Sequence, residues 1–297
     1  MGEKDITEKM LEDYNDVFAD ITNVLLWRGK QVILEDELEN AKDKSQYKAE
    51  DGKIHEQERD VAKIWKKGEI RIAMCGFENQ TTVDKDMPLR VIGYDGASYK
   101  SQTLSTKKER YPVITIILYF GMKPWKRPFS IHECFEIPEE MKEYVSDYKI
   151  NVFQIAYLTD EQVNMFTSDF RIIADYFVQM RKNNDYIPSK DEIRHVDELL
   201  KLMSVLTNDD RYVNVQKEGK GTVTNMCVAM DKAEARGEAR GEARGEARGE
   251  ARGEARGETR GKVLAYDDMG MSVAEIACKV GISEDEVSEI LKSNSES

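Results

Sequence analysis

The chain has 297 residues, 40% hydrophobic and 34% charged, enough for one sizeable core plus an appendage under a very polar surface. A formal net charge of −13 counts against a broad electrostatic nucleic-acid surface but leaves room for a local basic groove. The four cysteines and three histidines are dispersed, with no CxxC pair, which argues against a zinc finger or disulfide scaffold and for a reducing, cytoplasmic setting. No run of 18 apolar residues predicts a membrane span, and residues 1–10 lack a signal pattern.

In chain order, Leu11, Tyr14, Phe18, Ile21 and Leu25 recur at helical spacing and predict one amphipathic helix. Residues 29–58 read as a polar excursion. Arg59–Trp65 alternates polar and apolar as a half-buried strand does. Ile70–Glu78 is its partner, with Gly68 placed for a hairpin turn. Met87–Gln102 reads as a helix. Val113–Phe120 (VITIILYF) is a continuous apolar run between Pro112 and Gly121, the signature of a strand buried on both faces. Helix, hairpin, helix and buried strand make an α/β core, and residues 138–212 add at least three helical patterns, a helical C-terminal half.

From Glu234 to Gly261 the sequence reads EARG six times and then ETRG. Four residues nearly match a helical turn and Gly lowers helix propensity, so the segment is read as a solvated helix or helix–coil spacer. Ser272 with Glu275, and Ser283 with Glu286, then form two capping boxes around Gly281. The second of these helices begins SEDEVSE and lacks the basic and amide side chains that read DNA, so the tail is read as a docking or oligomerisation unit. Residues 262–297 carry three Lys against eight Asp or Glu, the tetrads are neutral, and residues 1–233 hold the remaining −8. The organisation expected is a domain over 1–225, a spacer over 226–261 and an acidic helix–turn–helix-like tail over 262–297.

Asp60 stands at the start of the first hairpin strand and Glu78 at the end of the second, so an antiparallel pairing brings the two ends together. Two hard oxygen ligands suit Mg²⁺, or Mn²⁺ in its place. Gln80 shares a strand face with Glu78, and the backbone carbonyl of Asn79 offers a third ligand. The same spacing also suits two solvated hairpin ends. Arg90 and Tyr94, four apart on the next helix, lie on one face and either contact a phosphate, brace the carboxylates or belong to the helix surface and core. Lys85, in the loop between, is either exposed or the source of a positive charge that Gln80 lacks. Lys123, Lys126 and Arg127 around Trp125 make a short basic–aromatic cluster suited to a DNA backbone, or an exposed loop around a packed Trp. Asp20 reads as a solvated helix residue.

Taken together, Arg59-Asp60-Val61, Glu78-Asn79-Gln80, Met87-Pro88-x-Arg90, Leu118-Tyr119-Phe120-Gly121 and Trp125 resemble the Rpn family. These are the recombination-promoting nucleases, or YhgA-like putative transposases, of the PD-(D/E)xK nuclease superfamily. The segment YNDVFADI resembles the family's opening element, with Asp16 at its acidic position. The resemblance implies a PD-(D/E)xK restriction-endonuclease-like core and an Mg²⁺-dependent DNA endonuclease linked to recombination or mobile elements. Asp60 and Glu78 are then the metal ligands, Asp16 joins through a water, and Gln80 takes the place of the superfamily's lysine. Gln can orient a water but brings no charge. DNA is the implied partner, with a homo-oligomer through the helical tail and no membrane. The alternative is a catalytically inactive nuclease-fold protein that serves assembly.

Overall fold

The computed structural model describes residues 9–41, 44–48, 54–106, 109–207, 212 and 225–295. The chain divides into two compact units, Met1–Ala233 and Glu234–Ser297.

In the first unit the expected N-terminal helix is broken. A helical turn at residues 9–12 ends at Asp13 and Tyr14, and α1 spans Asn15–Trp27. α1 buries Val17, Phe18, Ile21 and Val24 and stops at Arg28, which takes a left-handed φ of 55°. Buried Asn23 then ties down the following loop. Its Oδ1 accepts from Val32 N and Ile33 N, both at 3.0 Å, and its Nδ2 donates to Ile33 O at 2.8 Å.

The stretch read as a polar excursion contains three strands, β1 (Leu38–Asn40), β2 (Lys44–Lys48) and β3 (Ile54–Glu58), the last two forming a separate hairpin. Polar strands this short carry no periodicity to detect. The predicted central hairpin is β4 (Val61–Lys67) and β5 (Ile70–Gln80), turning at Gly68 with φ +59°. Arg59 and Asp60 therefore precede the strand in which they were expected. α2 (Met87–Leu104) follows, then β6 (Val113–Tyr119), the four-residue α3 (Glu139–Lys142) and β7 (Asn151–Gln154). The main sheet has the order β1-β4-β5-β6-β7, antiparallel across β1/β4/β5 and parallel across β5/β6/β7.

β6 explains its unbroken apolar run. Ile116 and Leu118 pack on one face, with Phe18 of α1 and with Phe170, Ile173 and Phe177 of α5 (Phe170–Asn183). Ile117 and Tyr119 pack on the other, with Met87 and Val91 of α2 and with Trp125. α4 (Asp160–Met165) and α6 (Val196–Thr207) complete the helical half. Asp20, read as solvated, is 4% exposed. Its carboxylate accepts from the backbone and hydroxyl groups of both Thr167 and Ser168 at 2.7–3.1 Å, which offsets its desolvation.

α7 (Met226–Asp268) is one continuous helix that includes every tetrad. In the second unit Val263, Ile276, Ala277 and Val287 form a small core where the end of α7 meets α8 (Val273–Val280) and α9 (Glu284–Ser295). Ser272 N and Ser283 N donate to Glu275 and Glu286 at 2.9 and 3.0 Å, as the two capping boxes require. Gly281 closes α8 with φ +79°.

One polar network is buried between the sheet and α2. Arg59 pairs with Asp95 and donates to Thr115 Oγ1 at 2.8 Å and to Ser98 Oγ at 3.1 Å; Tyr148 donates to the same Asp95. Room for Arg59 comes from Gly76. A Cβ there would stand 2.3 Å from Arg59 Cδ and 3.3 Å from the Val61 carbonyl. Gly76→Ala is therefore expected to cost about 1–3 kcal/mol of folding stability through overpacking. Chemical denaturation measures this, and an unchanged midpoint would mean that the Arg59 stem moves aside freely.

Candidate functional site

Asp60 is held at the entrance to β4. Its N–H donates to Phe77 O at 3.1 Å, and its Oδ2 accepts from Asn79 N at 2.7 Å. Val61 pairs with Phe77, so Asp60 comes beside Glu78 and Asn79 despite the 17 residues between the two acids. Lys9 Nζ, from the helical turn at 9–12, stands 2.7 Å from Asp60 Oδ1.

Glu78 is 2% exposed. On β5, Ala73, Cys75 and Phe77 face α1, and Glu78 faces α2. Its Oε1 accepts from Arg90 and from Tyr94 Oη, the latter at 3.3 Å. Arg90 also donates to Asp84 Oδ2 at 2.9 Å and to Tyr94 Oη at 3.0 Å. Arg90 and Tyr94 thus brace the carboxylate from one face of α2. Glu78 Oε2 is buried with no hydrogen-bond partner, and so is Asn79 Oδ1.

Burial, then the charge of Asp60, push the Glu78 carboxyl up to about 7; Arg90, Tyr94 and Lys9 pull it down without overcoming them. Burial pulls Arg90 down, but Glu78 and the hydrogen bonds to Asp84 and Tyr94 together outweigh it and push Arg90 up, so it stays charged. Burial and Glu78 push the Tyr94 hydroxyl up to about 12, so it stays a donor.

Gln80 ends β5, half-buried, and its carbonyl accepts from Phe120 N at 2.8 Å. Asn79 turns to the α1 side, where its Nδ2 donates to Glu12 Oε2 at 2.8 Å. Glu12 is 2% exposed and had no signal in the sequence beyond its place on a helical face. Asp16, the acid that the resemblance places at the metal, is engaged elsewhere. His195 Nε2 lies 3.0 and 3.1 Å from its two oxygens and Arg194 lies 3.7 Å away, at a cleft also lined by Asp20, Glu35 and Asp36. The break before α1 and the position of His195 just ahead of α6 account for this.

β5 and β6 are parallel, with Gln80 opposite Tyr119, so the loops after both strands leave the same sheet edge. Lys85 is exposed on the first; Lys123, Lys126 and Arg127 are exposed on the second. Trp125 is 2% exposed, edge-on to Tyr119, with Nε1 donating to Pro128 O at 3.0 Å. It anchors the basic loop and presents no ring for base stacking. Tyr119 folds back over Gly121, where a Cβ would stand 2.1 Å from its hydroxyl, and donates to Lys123 O at 2.8 Å.

The family model described as putative transposase, YhgA-like, matches residues 66–213. The chain belongs to this YhgA-like family. The matched span includes Glu78, Asn79, Gln80, Arg90 and Tyr94, and begins after Asp16 and Asp60. No curated protein and no solved structure matches the chain. Among the described residues there is no group of three or more His, Cys, Asp or Glu able to hold a metal ion, and no helix long and apolar enough to cross a membrane. The two-carboxylate arrangement of this YhgA-like chain still fits a divalent cation on one count: a buried carboxylate oxygen with no donor is the atom a cation satisfies.

An acid with a folded pKa of about 7 and an ordinary value of 4.5 binds its proton more tightly folded than unfolded. The stability this confers is present below pH 4.5 and is lost as pH rises through 7. In metal-free buffer, Glu78→Gln is expected to gain roughly 2–3 kcal/mol on the wild type between pH 4.5 and 7, read by denaturant unfolding. A wild-type-to-variant difference that does not change with pH would contradict the burial assigned to Glu78.

Proposed function

We propose that this YhgA-like protein is a divalent-metal-dependent DNA endonuclease with a PD-(D/E)xK-like core. The observation that carries the reading is the orphaned, buried Glu78 Oε2 beside Asp60 at the meeting of β4 and β5. The mixed sheet and the order α1, β4–β5, α2, β6 support it. Asp60 and Glu78 hold Mg²⁺, or Mn²⁺, and the Asn79 carbonyl is the third candidate ligand. When bound, the ion supplies an activated water and neutralises charge developing on a phosphodiester.

The chain's own residues do the remaining work. Arg90 and Tyr94 fix the Glu78 carboxylate so that its free oxygen is presented in one direction. Arg90 also keeps part of the negative charge compensated before DNA arrives. Gln80, at the end of the same strand, orients a water by hydrogen bonds and moves no proton. Lys85, Lys123, Lys126 and Arg127 line the sheet edge next to the site and meet the DNA backbone, which accommodates DNA binding on a chain of net charge −13. The acidic tail serves assembly into a homo-oligomer.

One observation favours a second reading, a catalytically silent assembly protein: both carboxylates already have a cationic partner, Lys9 and Arg90. Nicking of supercoiled plasmid decides between them. The wild type is expected to nick with Mg²⁺ and not with EDTA, and Asp60→Ala and Glu78→Ala are each expected to lower the rate by about 10²-fold or more. No nicking by any variant removes the nuclease reading; equal nicking by all three exposes a contaminant.

Binding tests the basic edge separately. Lys126→Glu with Arg127→Glu is expected to weaken binding to duplex DNA and to lower the salt slope by about one for each phosphate that is no longer neutralised. An unchanged slope places the DNA elsewhere.

A further inference from the structure

A cation lies against each carboxylate of the Asp60–Glu78 pair, and the two cations differ in chemistry. Arg90 is shared between Glu78, Asp84 and Tyr94 and is braced in place. Lys9 reaches Asp60 Oδ1 at 2.7 Å from the helical turn at residues 9–12, and its side chain is 23% exposed. A lysine ammonium on a flexible four-carbon stem can turn from one acceptor to another, whereas a guanidinium fork held by three partners cannot do so without losing them. Position 80, next to Glu78 on the same strand face, is an uncharged Gln, and the Lys85 side chain is exposed in its loop.

The turn that carries Lys9 is itself fastened to the site. Glu12 lies three residues later, on the same side of a helical turn. It is buried and accepts from Asn79 Nδ2 at 2.8 Å, while Asn79 N donates to Asp60 Oδ2 at 2.7 Å. Residues 9–12 therefore rest on the end of β5 through Glu12 and on Asp60 through Lys9.

Two carboxylates and a phosphodiester bring three negative charges together. One divalent ion balances two of them, and Arg90 is already distributed over Glu78 and Asp84. We infer that Lys9 is the phosphate-contacting cation of this site, seated by Glu12 through Asn79. The inference rests on the nuclease reading and adds a residue to it. With no divalent ion present, the Lys9 ammonium neutralises Asp60. With ion and DNA present, it donates hydrogen bonds to a non-bridging phosphate oxygen, and no bond to hydrogen is broken.

The test uses the full chain as wild type, Lys9→Met and Lys9→Arg, with thermal unfolding to show that all three are folded. Mg²⁺ alone is titrated by calorimetry, and plasmid nicking is followed as a single turnover at saturating Mg²⁺. Lys9→Met is expected to slow nicking by about 10²-fold, while binding Mg²⁺ as tightly as the wild type or more tightly, because a competitor for Asp60 is gone. Lys9→Arg is expected to restore most of the rate. Nicking by Lys9→Met at the wild-type rate overturns the inference. So does a parallel loss of rate and Mg²⁺ affinity, which would make Lys9 a structural brace. A wild type that binds Mg²⁺ and does not nick overturns the nuclease reading and this inference with it, and is told apart because the wild type then matches Lys9→Met.

Discussion

A carboxylate buried at the end of a central strand, with one oxygen braced and the other left without a donor, sets the terms for the rest of this site. Glu78 is kept out of water by α2 and β6, and Asp60 is brought beside it by the pairing of β4 with β5. Two such acids in a low-dielectric setting demand a proton or a cation. The geometry supplies partial compensation through Arg90 and Lys9 and leaves Glu78 Oε2 unpaired.

The surroundings serve to hold that arrangement. Arg59 precedes Asp60 and is locked by Asp95, Thr115 and Ser98, with Gly76 giving it passage across β5. The entrance to β4 is thereby fixed to both α2 and β6. Trp125 and Tyr119 pack behind the second loop of the sheet edge, so Lys123, Lys126 and Arg127 project from a rigid base. Charged side chains on an anchored loop lose less conformational freedom when they meet a ligand than those on a loose one.

The second unit follows different physics. Its helices are closed by two capping boxes and a left-handed glycine around a core of a few residues, while the tetrads of α7 have almost no apolar face. A helix of this composition relies on propensity and on pairing of Glu and Arg along its surface, which suits a spacer better than a packed element.

Much of this was legible locally. The apolar run of β6, the turn at Gly68, the capping boxes and the helical period of the tetrads each follow from nearest-neighbour chemistry, and so the α/β class and the helices after residue 225 could be read from the sequence alone. The Asp60–Glu78 pairing was legible too, because a hairpin relates its two ends by register alone. The interactions that join distant segments came instead from the packing of the whole core. Asp16 went to His195, 179 residues away, and Asp20 to Thr167 and Ser168, because the helical half closes over α1. Glu12 and Lys9 reached the end of β5 because the chain breaks its helix at Asp13 and Tyr14, ahead of α1, and nothing in the helical period of Leu11–Leu25 marks that break. Periodicity reports which face of an element is buried; which charged group meets it there depends on the packing of elements far apart in the chain, and that is set by the whole core at once.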